Sequence, residues 1–447
     1  MYFVYSLLSL VLFVVVSPYF LYQAIRYKKY IGNLRERLGY LPISFNVDAE
    51  PSIWIHAVSV GEALTARALA ADLKARYPRL RLYLSTTTMA GQQVARSSLR
   101  HLVDDVFYFP FDWTFIVRRT LNLVKPRLFI MMETEIWPNL LHECRKRGIK
   151  TVMINGRISA RSYPRYKLIR PLFRRVLADI DRFCMQSEES AHRLIELGAE
   201  PSRVTVTGSL KFDSLEMPSP TAHGKPRERV LRFFRISAHR TVIIAGSTMR
   251  GEEAAVLRAF GKIKATQTHA IAILAPRQPA RFGEVERLAR DAGFVTARRS
   301  ELPIDAEPRA DVIVLDSIGE LAQLYQLATA VFVGGSLADY GGHNILEPAI
   351  FGKPIVFGPH MQNFREIAET FVANGAAIQV PSDHDLDDAI LGLVRDPVHR
   401  ASLGAAARAL VEANRGAKEK TLTVISDLLP SAGAGAGGNI RPFRLVH

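Results

Sequence analysis

Cysteine is nearly absent from this chain: Cys144 and Cys184 are the only two in 447 residues, with no Cys-x-x-Cys and no histidines at ligand spacing. That excludes a disulfide scaffold, leaves a structural zinc site without support, and fits a reducing compartment. Acidic residues are scarce beside basic ones, 43 against 58, leaving a formal charge of +15. Such a balance suits nucleic acid, an anionic membrane surface or an anionic small substrate. The arginines are spread along the whole chain and fall in no recognised nucleic-acid motif with interleaved aromatics, so nucleic acid is not an expected partner. There is no Gly-x-x-x-x-Gly-Lys-Ser/Thr loop and no repeat of solenoid length, which removes an NTPase phosphate loop and a repeat array. With 48% hydrophobic residues the chain is too apolar to be disordered, and its length calls for two domains.

No charged side chain occurs over residues 1–25, a run as long as a membrane-spanning helix needs. It meets Arg26, Lys28, Lys29, Arg35 and Arg37, a basic flank that should stay cytoplasmic. No basic region precedes the run and no small-residue cleavage site follows it, so an uncleaved anchor is expected over a signal peptide. Pro18 would kink such a helix and leave it partly interfacial. Beyond the anchor, short apolar strands alternate with amphipathic helices. Strands are expected at 52–58, 80–85, 128–132, 151–154, 182–185 and 204–207, then at 242–245, 270–275, 312–315, 330–333, 355–357 and 377–380. This alternation predicts an α/β fold of two doubly wound, Rossmann-like domains with parallel sheets. The expected boundaries are an anchor at 1–25, a first domain at 26–215, a Pro-rich linker at 216–228, a second domain at 229–430 and a flexible tail at 431–447.

In open parallel sheets ligands sit beyond the carboxyl ends of the strands, and in tandem domains those ends should face a cleft. The first such loop reads Ser59-Val60-Gly61-Glu62. Ser-x-x-Glu is a capping box, and a carboxylate at that corner could also take a proton from a substrate hydroxyl. His56, just before, reads as a strand residue. The next loop, 132–139, holds Glu133 and Glu135 two residues apart on one face, where burial would force a raised pKa or a cationic partner. Trp137 and Pro138 suggest a packed corner; whether Glu135 acts or packs stays open. Asn155–Ser159 and Gly208–Asp213, the latter with Lys211, could bring an amide or a cation to the same place.

The second half is friendlier to phosphate. Ala245-Gly246-Ser247-Thr248 precedes a helix, so Ser247 is a candidate phosphate contact. Arg277 directly follows a strand and suits bidentate contact with phosphate or carboxylate. From Gly334 to Pro348 the chain carries four glycines, and Asn344 with Glu347 fits a helix cap. A phosphate at that helix N-terminus, with Glu347 accepting from ribose hydroxyls, would account for the glycines as well.

These segments, in this order, carry a resemblance. SVGE, METEIWPN, NGRIS, GSLKFD, AGST, APR, DSIGEL, GGHNILEP and FGPHMQNF, together with the N-terminal apolar run, resemble the bacterial Kdo transferases, which move 3-deoxy-D-manno-octulosonic acid (Kdo) from its CMP donor to the lipid A precursor. The resemblance implies a GT-B glycosyltransferase at the inner membrane, lipid IVA bound by the first domain and CMP-Kdo by the second, both in the cytoplasm. It implies Glu62 as general base, Glu133 and Lys211 as stabilisers of the transition state, and CMP contacts at Pro276, Arg277, Ile318, Gly319, Glu320, Asn344, Ile345, Leu346 and Glu347. Chemistry of this kind calls for neither a metal nor a cofactor. Met249 and Arg250 stand where many relatives carry His and Glu, and Gln278 where His is common, all on the donor side. A GT-B enzyme using a UDP-sugar would share the fold and the glycine-rich loop and would differ in reading uracil.

Overall fold

The structure is a computed structural model that describes residues 2–27, 34–42, 45–46, 48–159, 162–213, 240–302 and 307–429. The expected linker and tail lie outside the described residues, as do Lys28 and Lys29 of the basic flank. Contacts divide the chain into two compact units, residues 1–214 with 415–447, and residues 215–414.

The first unit is built on seven parallel strands: β1 (Ser52–His56), β2 (Arg81–Thr86), β3 (Asp105–Tyr108), β4 (Pro126–Met132), β5 (Lys150–Gly156), β6 (Arg182–Met185) and β7 (Val204–Val206), in the order β3-β2-β1-β4-β5-β6-β7. Side chains alternate between two faces, as the pleat requires. Trp54, Tyr83, Phe107, Phe129, Met131, Met153 and Phe183 pack under helices Thr114–Val124, Pro138–Lys146 and Glu188–Glu196. Ile53, Ile55, Leu82, Leu84, Leu128, Ile130, Val152 and Ile154 pack under helices Val60–Arg76 and Met89–Ser98. Right-handed crossovers dictate this split, because the chain first steps outward from β1 to β3 and then outward the other way from β4 to β7. The second face over β5 and β6 therefore has no crossover helix of its own. Helix Ala417–Leu428 covers it, placing Leu422 and Ile425 in that core. The second-domain expectation ran to residue 430; residues 415–429 instead complete the first unit, where Asp213 accepts from the amides of Gly416 (2.9 Å) and Lys418 (2.7 Å).

The second unit repeats the plan with β8 (Val242–Thr248), β9 (Ile271–Pro276), β10 (Thr296–Arg298), β11 (Val312–Val314), β12 (Ala330–Val333), β13 (Ile355–Phe357) and β14 (Ile378–Gln379), ordered β10-β11-β9-β8-β12-β13-β14 and all parallel. All twelve expected strands are present. Two more, β3 and β10, form one edge of each sheet; Thr-Ala-Arg is too polar to announce itself by pattern, and Asp-Val-Phe-Tyr, buried over its last three residues, is not among the strands expected.

The N-terminal run is a single helix, Tyr2–Tyr27, with Pro18 inside it. Among the described residues no helix is long and apolar enough to cross a membrane, so the expected spanning anchor is not what they form. One side of the helix is occupied by the first unit instead. Tyr2 stacks on His142 and its hydroxyl donates to Asp179; Asn139 Nδ2 donates to Ser6 Oγ (2.9 Å), Trp113 Nε1 donates to Ser9 Oγ (3.2 Å), and Phe13 sits edge-on to Phe111 and Trp113. Val4, Leu7, Leu8, Val11, Val14 and Val15 remain exposed.

Candidate active site

In the first sheet the strand order reverses between β1 and β4, the place where ligands settle in open parallel sheets. Glu62 stands in the first turn of the helix after β1, Glu133 and Glu135 in the loop after β4, Asn155 at the end of β5 and Lys211 after β7. Glu62 is 9% exposed. Its Oε2 accepts from the Val58 amide (2.9 Å) and its Oε1 from the Ser59 hydroxyl (2.8 Å), while Ser59 Oγ caps helix Val60–Arg76 by accepting from the Glu62 amide. Ser59 thus caps the helix as expected, but the reciprocal bond of a capping box goes to the Val58 amide, one residue before the cap, and each Glu62 oxygen keeps further acceptor capacity. Burial, then the nearby charge of Glu133, push the Glu62 pKa up to about 7 against the hydrogen bonds from Val58 and Ser59, with Glu135 adding to the rise. A carboxylate so poised is a competent base near neutral pH.

Lys211 Nζ lies 4.0 Å from Glu133 Oε1, so two of the sequence-predicted residues form an ion pair. Glu133 and Asn155 hold left-handed backbone conformations, with φ of 55° and 52°, at the ends of β4 and β5. Strain of this kind in non-glycine residues concentrates at functional sites. Asn155 Oδ1 accepts from the Leu210 amide (3.0 Å), tying the loop after β7 to the end of β5 and so setting where Lys211 stands. Glu135 accepts from Trp137 Nε1 (3.1 Å), and His56 Nε2 is 3.8 Å from its Oε2. Sequence reasoning passed over His56 because its partner Ser85 lies 29 residues away on β2.

The second sheet reverses between β8 and β12. Ser247 lies within β8 in a left-handed conformation (φ 57°), and the helix after it begins only at Glu253, so the residue is not at a helix N-terminus as expected. The glycine-rich loop is also held differently from the expectation. Glu252, wholly buried, accepts from the amides of Met249 (2.8 Å), Gly335 (2.8 Å), Ser336 (2.9 Å), Leu337 (2.9 Å) and Ala338 (3.3 Å). A carboxylate of the protein itself thus fills the amide nest at the start of the glycine-rich loop, ahead of the helix at Asn344 where a phosphate was expected. Gly334 is required by this packing, since a Cβ there would lie 2.6 Å from the Ser247 carbonyl oxygen.

Asn344 and Glu347 form the expected local pair, Nδ2 to Oε1 at 3.3 Å, with Asn344 Oδ1 accepting from the Leu346 amide (3.1 Å). The helix they begin, Leu346–Ala349, is a single turn, too short to hold an anion by its dipole. Arg277 follows β9, and its charge is felt at both His343 and Glu347. Burial, then Arg277, bring the His343 pKa down to about 4, keeping the imidazole neutral, while burial raises the pKa of Glu347 against Asn344 and Arg277. Pro276 ends β9 and pairs with Thr248 of β8, beside Ser247. Ile318 is 88% exposed at the tip of the loop after β11, Gly319 turns it at φ 94°, and Glu320 is anchored by Arg299 Nε (3.2 Å) and the Ser317 hydroxyl. Among the departures, Met249 is buried with its amide donating to Glu252, and Arg250 pairs with Glu284 at 3.1 Å. No group of three or more His, Cys, Asp or Glu side chains is placed to hold a metal ion among the described residues.

Residues 32–214 match the family of 3-deoxy-D-manno-octulosonic-acid transferases, and residues 296–410 match the group 1 glycosyl transferases. The 3-deoxy-D-manno-octulosonic acid transferase of Haemophilus influenzae is 34% identical over 420 residues, 91% of this chain and 93% of its own. The chain belongs to the Kdo transferase family. The Kdo transferase of Bordetella pertussis is also 34% identical, over 84% of this chain and 87% of its own. This Kdo transferase is accordingly a glycosyltransferase, and its two parallel α/β units are of the GT-B kind. They resemble in fold the UDP-GlcNAc 2-epimerase of Neisseria meningitidis, at a TM-score of 0.56 with 14% identity over 84% of this chain and all of that one.

Proposed function

We propose that this Kdo transferase moves Kdo from CMP-Kdo to lipid IVA in lipopolysaccharide synthesis, with Glu62 as general base. The observation that carries the reading is the Glu62 carboxylate, held at the switch point of the first sheet with its pKa near 7. It accepts the proton of the acceptor hydroxyl as that oxygen bonds to the anomeric carbon, and the bond from that carbon to the CMP phosphate breaks with its electron pair leaving on phosphate. Attack from the face opposite the leaving group inverts the centre. The Lys211 ammonium offsets the donor's own carboxylate, and Glu133 stands toward the positive charge that develops on the sugar.

On the second unit, Arg277 meets the departing phosphate with Ser247 beside it, Pro276 and the Ile318–Gly319–Glu320 loop take the nucleoside, and Asn344 to Glu347 close over it, Glu347 accepting from ribose. The exposed apolar side of helix Tyr2–Tyr27 and the +15 charge support peripheral seating on the cytoplasmic side of the inner membrane, where a lipid acceptor resides.

The test is transfer from CMP-Kdo to a tetraacylated, bisphosphorylated acceptor, read by product mass, for wild type and Glu62→Gln, with CMP and UDP binding measured beside it. Wild type forms product and prefers CMP, while E62Q binds CMP and turns over at least about a hundredfold more slowly. Deleting residues 1–25 lowers transfer to acceptor in vesicles and spares acceptor dispersed in detergent. Full turnover in E62Q removes the base assignment; absence of product with intact CMP binding removes the acceptor.

A further inference from the structure

Glu62 does not stand alone in its loop cluster, and the group behind the cluster has no role so far. His56 closes the floor of the site at the end of β1. Its side chain has no exposed surface, its ring lies flat on Phe109 with centroids 3.8 Å apart, and its Nε2 has no hydrogen-bond partner. Glu135 Oε2, on a side chain 27% exposed, lies 3.8 Å from that nitrogen.

The other ring nitrogen decides which proton His56 carries. Nδ1 is 3.0 Å from Ser85 Oγ, and Ser85 Oγ is 2.8 Å from Trp54 Nε1. An indole N–H can only donate, so a lone pair of Ser85 Oγ takes it and the hydroxyl proton is free for His56 Nδ1. The Ser85 carbonyl oxygen, 3.2 Å from Nδ1, also accepts from the Ala57 amide at 2.9 Å, so an Nδ1–H would have to share it. Accepting from the Ser85 hydroxyl through Nδ1 leaves the ring proton for Nε2, on the side of Glu135. The opposite tautomer would aim a bare lone pair at a carboxylate in a buried place, which is costly. A run of donors thus leads from the core to the site: Trp54 to Ser85, Ser85 to His56, His56 toward Glu135, with Trp137 Nε1 holding Glu135 at 3.1 Å from the other side.

We propose that His56 is a positioning residue: the Trp54–Ser85 pair fixes its tautomer so that Nε2–H holds the Glu135 carboxylate beside Glu62, keeping a second negative charge against the base. The inference rests on Glu62 being the base. At 3.8 Å the contact is electrostatic, and it is present in the free enzyme, whose ionisations kcat/KM reports. Glu135 then acts through Glu62: its charge makes Glu62 bind a proton more tightly and so abstract one more readily. The charged groups around the pair are few. Glu62 is faced by Glu133 and Glu135, Glu133 is paired with Lys211, and His56 is faced by Glu135 and, from the segment before β1, by Arg37, whose charge discourages a second proton on the ring.

The experiment is the pH profile of kcat/KM for the full-length enzyme with CMP-Kdo and lipid acceptor. In Glu135→Gln the acid limb moves down by about half a pH unit, so that roughly threefold more of the base form is present at pH 6, the size expected of one partly screened neighbouring charge. His56→Leu moves it the same way, and His56→Gln, whose amide can donate from the same height, restores the wild-type limb. Limbs of E135Q and H56L that coincide with wild type overturn the proposal. Where H56L does not fold, nitrogen NMR of wild-type His56 decides: a neutral Nε2–H ring from pH 5 to 8 supports it, and an Nδ1–H ring or an imidazolium overturns it. Full turnover in E62Q removes the base assignment instead, and the His56 tautomer still tests the donor chain.

Discussion

Glu62 has two tasks that pull its proton in opposite directions. Val58 and Ser59 donate to it and favour the charged form, while burial and the neighbouring carboxylates favour the neutral one and prevail. Because the charged form is the base, kcat/KM should rise with pH through about 7 in wild type. Stability should run the other way. The folded pKa lies above the unfolded value, so the folded state binds more protons between them; this group's contribution to stability is full below the unfolded pKa and is lost as pH rises through about 7. Melting of wild type measured from pH 5 to pH 8 should therefore decline more steeply than melting of E62Q, which cannot titrate; equal slopes would show that the buried charge carries no such strain. Glu62, Glu133 and Lys211 could be found in the sequence because each sits in a short motif after an apolar strand. His56 and Glu252 could not, since what they do depends on Ser85, 29 residues away, and on Gly335, 83 residues away. The left-handed turns at Glu133, Asn155 and Ser247 were equally hidden, because nothing in those residue types requests them.

At the level of elements, apolar runs identified twelve strands and missed β3 and β10, one edge of each sheet. Glycines were legible as a need for space, yet not for what fills it. Gly246 in β8 illustrates the point: a Cβ there would stand 1.9 Å from the hydroxyl oxygen of buried Tyr325, in the short turn Tyr325–Leu327. Gly246→Ala should lower stability by about 1 to 3 kcal/mol through overpacking. Removing the hydroxyl should recover part of that loss, since the ring carbon behind it stays at 2.9 Å. Urea unfolding of G246A, Tyr325→Phe and the double variant should give a coupling of about 1 kcal/mol or more, and strict additivity would deny the contact.

For the whole molecule, the sequence could show that residues 417–428 make an amphipathic helix, and had no means of showing which sheet it covers. The answer comes from topology. A sheet that winds outward both ways from β1 and β4 leaves half of one face without a crossover helix, and a segment more than two hundred residues beyond β7 supplies it. The first unit is then incomplete until the last described helix has been made, whereas residues 215–414 form the second unit without it. Ile425→Ala should cost about 2 to 5 kcal/mol, the usual toll of a cavity in a core, and the loss should fall on the first unit alone. Hydrogen exchange can tell the two units apart: amides of β5 and β6 should lose protection in the variant while those of β8 and β9 keep theirs. A chain ending at Asn414 should show the same pattern in stronger form, with Tyr77 also losing the bond its hydroxyl donates to the Leu429 carbonyl at 2.7 Å. Loss of protection in β8 and β9 would instead assign the terminal helix to the second unit, where its place in the sequence alone would have put it.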